Sequence, residues 1–448
     1  MQVGLVVGLF LAVLFAVEVA IAASVDHQAA DIIGNEAAPA IIAAQGLWAK
    51  LVEGDANAAN YLIGKGDLNI KAGEAAEVNF TQANALLITA IEHSTPGGRD
   101  LVVLKALQDN LGTYRELWRQ AKTLHLHADD AGTTFVYRDA THVMEDQLLA
   151  EAGELDNVKS AQLAQAYAGQ KSQESFAIYR IGFVALLLLA DLIVLQVFIR
   201  RRTRRTFNLP LLAATALVIL ATLFSVSTLI RSGQDLQFAT EKAFPSIHAL
   251  WRIRAYAYDA NTEGSRFLSD TELANRYERG LIDDLNLIAR KGNATPQNRN
   301  DIFFKGADYA GLVAQAKAGQ VAFQGYVADV LNNSAIPGER ELAIGVLSDL
   351  GTYVTIDAAV RDLEGAGKHA EALALRTGYG ENQSNWAFQR LDQALTTTIS
   401  RDQAPFDQAI GDSLNSTASF DAFAAIIGLL LIVALWFGLQ PRLREYDV

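Results

Sequence analysis

The sequence predicts an all-α membrane protein with four transmembrane helices and two extracytoplasmic up-down four-helix bundles related by internal duplication. Three observations lead there. The 448-residue chain contains four separate stretches of about 20 apolar residues, the length that crosses a bilayer. Between them, apolar residues recur at spacings of three and four and do not alternate, which is a helical and not a strand pattern. The chain is also rich in alanine and has only 8 prolines, a composition that favours long uninterrupted helices.

The four apolar stretches cover 1–23, 176–199, 209–230 and 420–439. The loop 200–208 between the second and third reads RRRTRRTFN and concentrates Arg200, Arg201, Arg202, Arg204 and Arg205. Short loops rich in Lys and Arg stay in the cytoplasm. The tail 440–448 carries Arg442 and Arg444 and points the same way. Both termini are therefore expected in the cytoplasm of a bacterial cell, with 24–175 and 231–419 outside. The first stretch ends in AIAAS, and Ala20 and Ala22 are spaced like a signal-peptidase site, so a cleaved signal peptide is the rival reading there. Two acids fall inside spans, Glu18 and Asp191. Glu18 is expected to reach the interface. Asp191 is expected to face a neighbouring helix, with a role in association or signalling as one reading of it.

The order span, large segment, span occurs twice, and local motifs repeat with it. PGGRDLVVLKALQDNLGTY (96–114) matches PGERELAIGVLSDLGTY (337–353). Leu47-Trp48, Asp55-Ala56-Asn57 and Tyr61-Leu62 find counterparts in Leu250-Trp251, Asp259-Ala260-Asn261 and Phe267-Leu268. Pro39 and Pro245 lie upstream of each set. The second segment carries an insertion at about 269–304 that includes a polar, turn-rich run.

Breaks in the helical pattern are expected near 64–74, 94–98 and 129–137, and again near 292–298, 334–338 and 365–382. Each segment then holds four antiparallel helices. The Asp55/Asn57 and Asp259/Asn261 motifs, about 30 residues beyond their spans, fall near the distal ends, about 45 Å out. The insertion falls at a distal tip as well. The Pro-Gly turns at 96 and 337 read as helix starts, with Asp100 and Glu341 in the first turn, and Tyr114 and Tyr353 as core residues.

Chemistry is sparse. Cysteine is absent, which excludes disulfides and thiolate sites. His125, His127, Asp129 and Asp130 are the one metal-like group, but helix positions two apart diverge, and a solvated helix end is the expectation. No phosphate-binding loop or nucleophile elbow is present. Neither an enzyme, nor a cofactor or metal, nor a catalytic residue is expected. A net charge of −13 argues against nucleic acid. Arg252, Arg254 and Arg266 could hold a carboxylate ligand, or balance an acidic domain as surface charges. With Asp55, Asn57, Asp259 and Asn261 they form the candidate ligand or partner region. Asp191 and the five arginines of the loop are the candidate coupling residues.

The alternation of span, outer bundle and span resembles the input module of bacterial chemoreceptors and sensor kinases, here in tandem, without a HAMP linker or a signalling domain in the sequence. The layout, the basic loop and the ending LQPRLREY are similar to actinobacterial GlnX-type membrane proteins. That resemblance implies work with an extracytoplasmic amino-acid-binding lipoprotein and a cytoplasmic serine/threonine kinase. It implies a relay of external aspartate or glutamate availability, and it carries over no ligand-binding residue. The expected function is a signal transducer in the cytoplasmic membrane, touching lipid, a binding lipoprotein, a kinase and a second copy in a homodimer. An envelope scaffold is the alternative, and a transporter subunit a third reading that the scarcity of polar residues in the spans disfavours.

Overall fold

The structure, a computed structural model, describes residues 2–64, 67–94, 96–203, 208–292 and 297–444. Among them the secondary structure is helical, with isolated bridges from Arg290 to Phe303 and Gln324 as the only β-type pairing. The first segment runs through α1 (Gln2–Asp31), α2 (Ala38–Ile63), α3 (Asp67–Glu92), α4 (Arg99–Leu126), α5 (Asp130–Val143) and α6 (Ala150–Thr203). The second runs through α7 (Leu209–Gln237), α8 (Phe244–Ser269), α9 (Ala274–Ile288), α10 (Arg299–Ile302), α11 (Asp308–Lys317), α12 (Tyr326–Asn333), α13 (Glu339–Gly365), α14 (His369–Thr377), α15 (Ser384–Thr417) and α16 (Phe420–Arg444). The turns at 64, 96–98, 129, 292, 297–298, 334–338, 366–368 and 378–382 lie where the pattern breaks are expected, with α14 set inside the last of them.

The chain divides into two compact units, one of 1–36, 163–240 and 407–448, the other of 37–162 and 241–406. Among the described residues, five helical stretches are long and apolar enough to cross a membrane: Gln2–Ile63, Asp130–Arg201, Leu209–Ser269, Glu339–Gly365 and Ser384–Gln440. The chain is a membrane protein.

The first unit packs α1, the second part of α6, α7 and α16 around Phe15, Leu188, Leu192, Val218, Leu431 and Leu435. Its outer faces are apolar too. Val6, Phe10, Phe183, Leu186, Val194, Leu220, Leu223, Leu429 and Phe437 are exposed, as in helices that meet lipid all round. Small residues let the helices approach. A Cβ on Gly428 would stand 2.8 Å from that of Ala16, and one on Gly4 2.7 Å from Leu195 Cδ2. Polar side chains join neighbours, as bundles in lipid use them. Gln196 Nε2 donates to Thr215 Oγ1 at 2.8 Å, and Asn208 Nδ2 to the Gly438 carbonyl at 2.7 Å.

The second unit joins what the sequence reads as two separate bundles. One cluster of buried apolar side chains takes in Leu47, Leu51, Phe80, Tyr114 and Trp118 from the first segment and Leu250, Leu285, Leu347, Tyr353 and Leu391 from the second. The junction is α2 against α8, and both are lined by buried alanines (Ala44, Ala56 and Ala59; Ala249, Ala257 and Ala260). Alanines on the facing sides let two backbones come close. The expected insertion also contributes to the core. Its helix α9 places Tyr277, Leu281, Leu285 and Ile288 in the interior, a stripe at intervals of three and four that makes it a core helix.

The two segments follow the same succession. Six-residue π-helical turns, Ile32–Ala37 and Phe238–Ala243, lie 206 residues apart, and each leads into a 26-residue helix with proline in its first turn. That spacing corrects the motif register. It sets Asp55 against Asn261 and Glu53 against Asp259, where the sequence motif pairs Asp55 with Asp259. The tyrosines agree with the structural register, since Tyr114 Oη donates to Asp55 Oδ1 at 2.7 Å and Tyr353 Oη to Asn261 Oδ1 at 3.4 Å. The acid in the first turn of α13 that turns inward is Glu339, fully buried, and not Glu341.

Trp118 is fully buried and packs edge-on against Tyr61 at 5.4 Å. Trp118→Ala is expected to cost ~3–5 kcal/mol, read as a lowered thermal midpoint by circular dichroism of the detergent-solubilised protein.

Candidate functional site

Along the α2–α8 junction the arginines of α8 meet acids of the first segment. Arg266 has 1% exposed side chain. Its Nη2 donates to Asp55 Oδ2 at 2.6 Å, and its Nη1 to Glu145 Oε1 at 2.5 Å and Glu263 Oε1 at 2.8 Å. Tyr137 lies under the guanidinium at 5.8 Å. Arg276 takes the other Glu145 oxygen at 2.7 Å. Burial raises the Asp55 carboxyl above its usual range despite the opposing pull of Arg266. Burial also raises Glu263 and Asp284 well above theirs, with neighbouring acids adding to the effect. Acidic side chains outnumber cationic ones here.

Arg252 holds Asp156 through Nε at 3.0 Å and Nη2 at 2.7 Å, and His248 Nε2 reaches the same oxygen at 2.7 Å. Burial pushes Asp156 up, but the hydrogen bonds and charges of His248 and Arg252 outweigh it and leave the carboxyl below its usual value. Arg254 bonds Asp392 at 2.7 Å and lies 3.6 Å from Glu53. From the other side, Arg138 of α5 forks onto Asp270 at 2.6 Å to each oxygen.

The structure thus brings together Asp55 and Arg266 of the predicted region but satisfies most of that region internally. Arg252, Arg254 and Arg266 are neither surface charges nor open to a ligand, because they tie the segments together. Asn57 bonds its own helix at Glu53 O, and Asn261 accepts from Tyr353 and Arg376. Asp259 makes no hydrogen bond among the described residues and lines a cavity of about 650 Å³. A second cavity, about 550 Å³, opens beside Tyr137, Arg138, Asp270 and Tyr277. Sequence reasoning missed Glu145, Glu263, Asp156 and Arg138. Their partners lie about 90 to 130 residues away, except that Glu263 and Arg266 stand at i and i+3, a helical spacing that could have been read.

In the first unit, Glu18 forms an ion pair with Arg180 at 3.3 Å. Asp191 does face a neighbouring helix: a Cβ on Gly8 would lie 2.8 Å from its Oδ2, which has no hydrogen-bond partner. Arg200 and Arg201 end α6 exposed. Arg202 belongs to α6, and Arg204 and Arg205 lie outside the described residues. His125 rests on Tyr61 at 5.3 Å, and Asp129 caps α5 by accepting the Gly132 N–H at 2.9 Å, so these two are built into helix ends.

Where α4 starts, Asp100 pairs with Lys159 at 2.7 Å, both buried. The start of α13 differs. Glu339 takes the Ile336 N–H at 3.2 Å, and the fully buried Asp402 has no hydrogen bond to either oxygen. Burial, with Glu339 adding, pushes Asp402 up to about 7.

Residues 29–168 match the family model of an actinobacterial sensor domain. Over that stretch, which holds α2 to α5, the chain is similar to actinobacterial sensors. No curated protein and no solved structure matches it.

Two outcomes follow. Arg266→Met leaves buried carboxylates without their cation and is expected to cost ~3–5 kcal/mol, with a smaller loss when Asp55→Asn is already present. The folded state holds a proton on Asp402 that the unfolded chain releases above its ordinary value of 3.8. Stability should therefore fall as pH rises through the window from about 4 to about 7. Asp402→Asn should flatten that decline in thermal midpoint and raise the midpoint on the alkaline side.

Proposed function

We propose that the protein is a transmembrane sensor that relays an extracytoplasmic signal to a separate cytoplasmic partner. The observation that carries this reading is the match of residues 29–168 to a sensor domain. The helices supply a route. Gln2–Ile63, Asp130–Arg201, Leu209–Ser269 and Ser384–Gln440 each run unbroken for 57 to 72 residues and carry one apolar window. A displacement at one end of such a rod is felt at the other. Glu339–Gly365 is less apolar and most of its window is buried, so we read it as a core helix and count four spans.

In this reading the spans are two copies of a two-span unit. Each copy carries an outer up-down four-helix bundle, and the copies are fused along α2 and α8. The Arg200–Arg205 loop and both termini lie in the cytoplasm, where the basic loop is retained. Asp191 and that loop couple the spans to a partner such as a serine/threonine kinase. An extracytoplasmic binding lipoprotein, an amino-acid signal and a homodimer belong to the same picture, and no catalytic step is assigned to the chain itself. A ligand shifts the arrangement only by its differential affinity for two states, and the ion pairs of the α2–α8 seam are contacts that two such states can exchange.

The absence of native cysteine gives a clean topology test. Arg201→Cys should react with a membrane-impermeant maleimide only after permeabilisation, and Lys105→Cys in intact cells. A photocrosslinker at Arg201 should recover a kinase. If neither a kinase nor a binding lipoprotein is recovered, and deletion alters the envelope while nutrient responses stay intact, the protein is a scaffold.

A further inference from the structure

The 206-residue register makes each segment a control for the other. In α2, Lys50 and Glu53 form an ion pair at 2.7 Å. The positions that correspond in α8 are Tyr256 and Asp259. The acid is kept, but an aromatic ring stands where the first segment has its ammonium group.

Asp259 opens on the cavity of about 650 Å³, lined among others by Trp48, Arg99, Gly153, Glu154 and Tyr256. Trp48 and Tyr256 meet edge to face with centroids 5.6 Å apart. Arg99 is committed to Glu154, with Nη2 at 2.7 Å, so that pair adds no net charge. What remains in the cavity is one carboxylate without a hydrogen-bond partner and two electron-rich rings. Burial raises the Asp259 carboxyl to about 7, with Glu145 and Asp55 adding to the rise and Arg266 opposing it, so a cation that pairs with it also favours its ionised form. Rings and a carboxylate around a cavity are the chemistry that holds an organic cation. An anion would meet Asp259 with no free cation to bind it. A single carboxylate is too few ligands for calcium or magnesium, and no group of three ligating side chains suited to a metal occurs among the described residues.

We propose that this cavity binds a small organic ammonium ion, which takes the place that the Lys50 ammonium fills in the first segment. The ammonium pairs with Asp259 and rests against Trp48 and Tyr256. Gly153 keeps the floor open. A Cβ there would stand 3.7 Å from Trp48 Cη2, an ordinary contact, so a larger side chain enters the cavity without disturbing the helix. As the ligand site of a sensor the cavity rests on the function proposed above. Binding itself does not, and it is measured on the protein alone.

The test is calorimetric titration of the full-length, detergent-solubilised protein with choline and with butylammonium, against 3,3-dimethylbutan-1-ol as the neutral isostere of choline and glutamate as the anion. The expected result is saturable binding of at least one ammonium probe, and none of the alcohol or glutamate. Asp259→Asn should weaken that binding at least tenfold. Gly153→Leu should abolish it in a protein of unchanged helicity. Tyr256→Lys, which restores the pair of the first segment, should abolish it with Asp259 intact. No binding of either ammonium, equal binding of choline and its alcohol isostere, or binding of glutamate alone overturns the proposal. Each of these results leaves the relay to a cytoplasmic partner standing, and that relay fails separately, by the crosslinking result.

Discussion

The second unit depends on Arg266. A guanidinium with 1% exposure has been taken out of water, at a cost of several kcal/mol that only well-placed acceptors offset. Asp55, Glu145 and Glu263 provide them, and two of the three come from the other segment. The pair therefore does more than add attraction. It makes one geometry of α2 on α8 acceptable and makes slipped ones costly, since a slip of one turn would leave a buried charge facing alanine. The alanines set the distance between the helices and the charges set their register. Arg252 with Asp156, and Arg138 with Asp270, repeat the device along the same junction.

The first unit solves its packing with different means. Its helices are apolar inside and out, so burial gives no preference for protein over lipid. Specificity then comes from close approach and from a few polar links. Gly8 is an instance of the first. It leaves room for the Asp191 carboxyl, and a side chain at position 8 would collide with it. Ser232 and Ser413, 2.7 Å apart and buried, join α7 to α15 in the same manner. Such links hold neighbours together where there is little apolar contrast.

What the sequence reveals follows from the range of the forces involved. Apolar stretches and helix breaks are local, and both are legible: Pro96 and Pro337 precede α4 and α13, and Leu104, Leu107 and Leu111 lie in the core as their spacing requires. The candidate residues Asp55 and Arg266 were legible as unusual but not as partners, because 211 residues separate them. Matching by composition alone also misled. Asp55-Ala56-Asn57 looks like Asp259-Ala260-Asn261, yet the structural register puts Asp55 opposite Asn261. The core role of helix α9 was readable but not read, since its stripe of Tyr277, Leu281 and Leu285 lies at intervals of three and four.

The corrected register gives the comparison of segments its force. Positions that the shared succession of helices demands are filled alike in both. Pro39 and Pro245 start the helices, and Tyr114 and Tyr353 reach across to positions 55 and 261. Where the segments differ in charge, folding of the common framework does not require the difference. Asp100 is neutralised by Lys159, while Asp402 is left without a partner. Glu53 has Lys50, while Asp259 has none. In both contrasts it is the second segment that carries the uncompensated acid. An uncompensated acid in a half-open or buried place destabilises the fold and answers to protons and cations. Within residues 29–168, which match the sensor domain, Glu53 and Asp100 each have a lysine partner. The second segment has its uncompensated acids at a cavity, Asp259, and beside a helix start, Asp402.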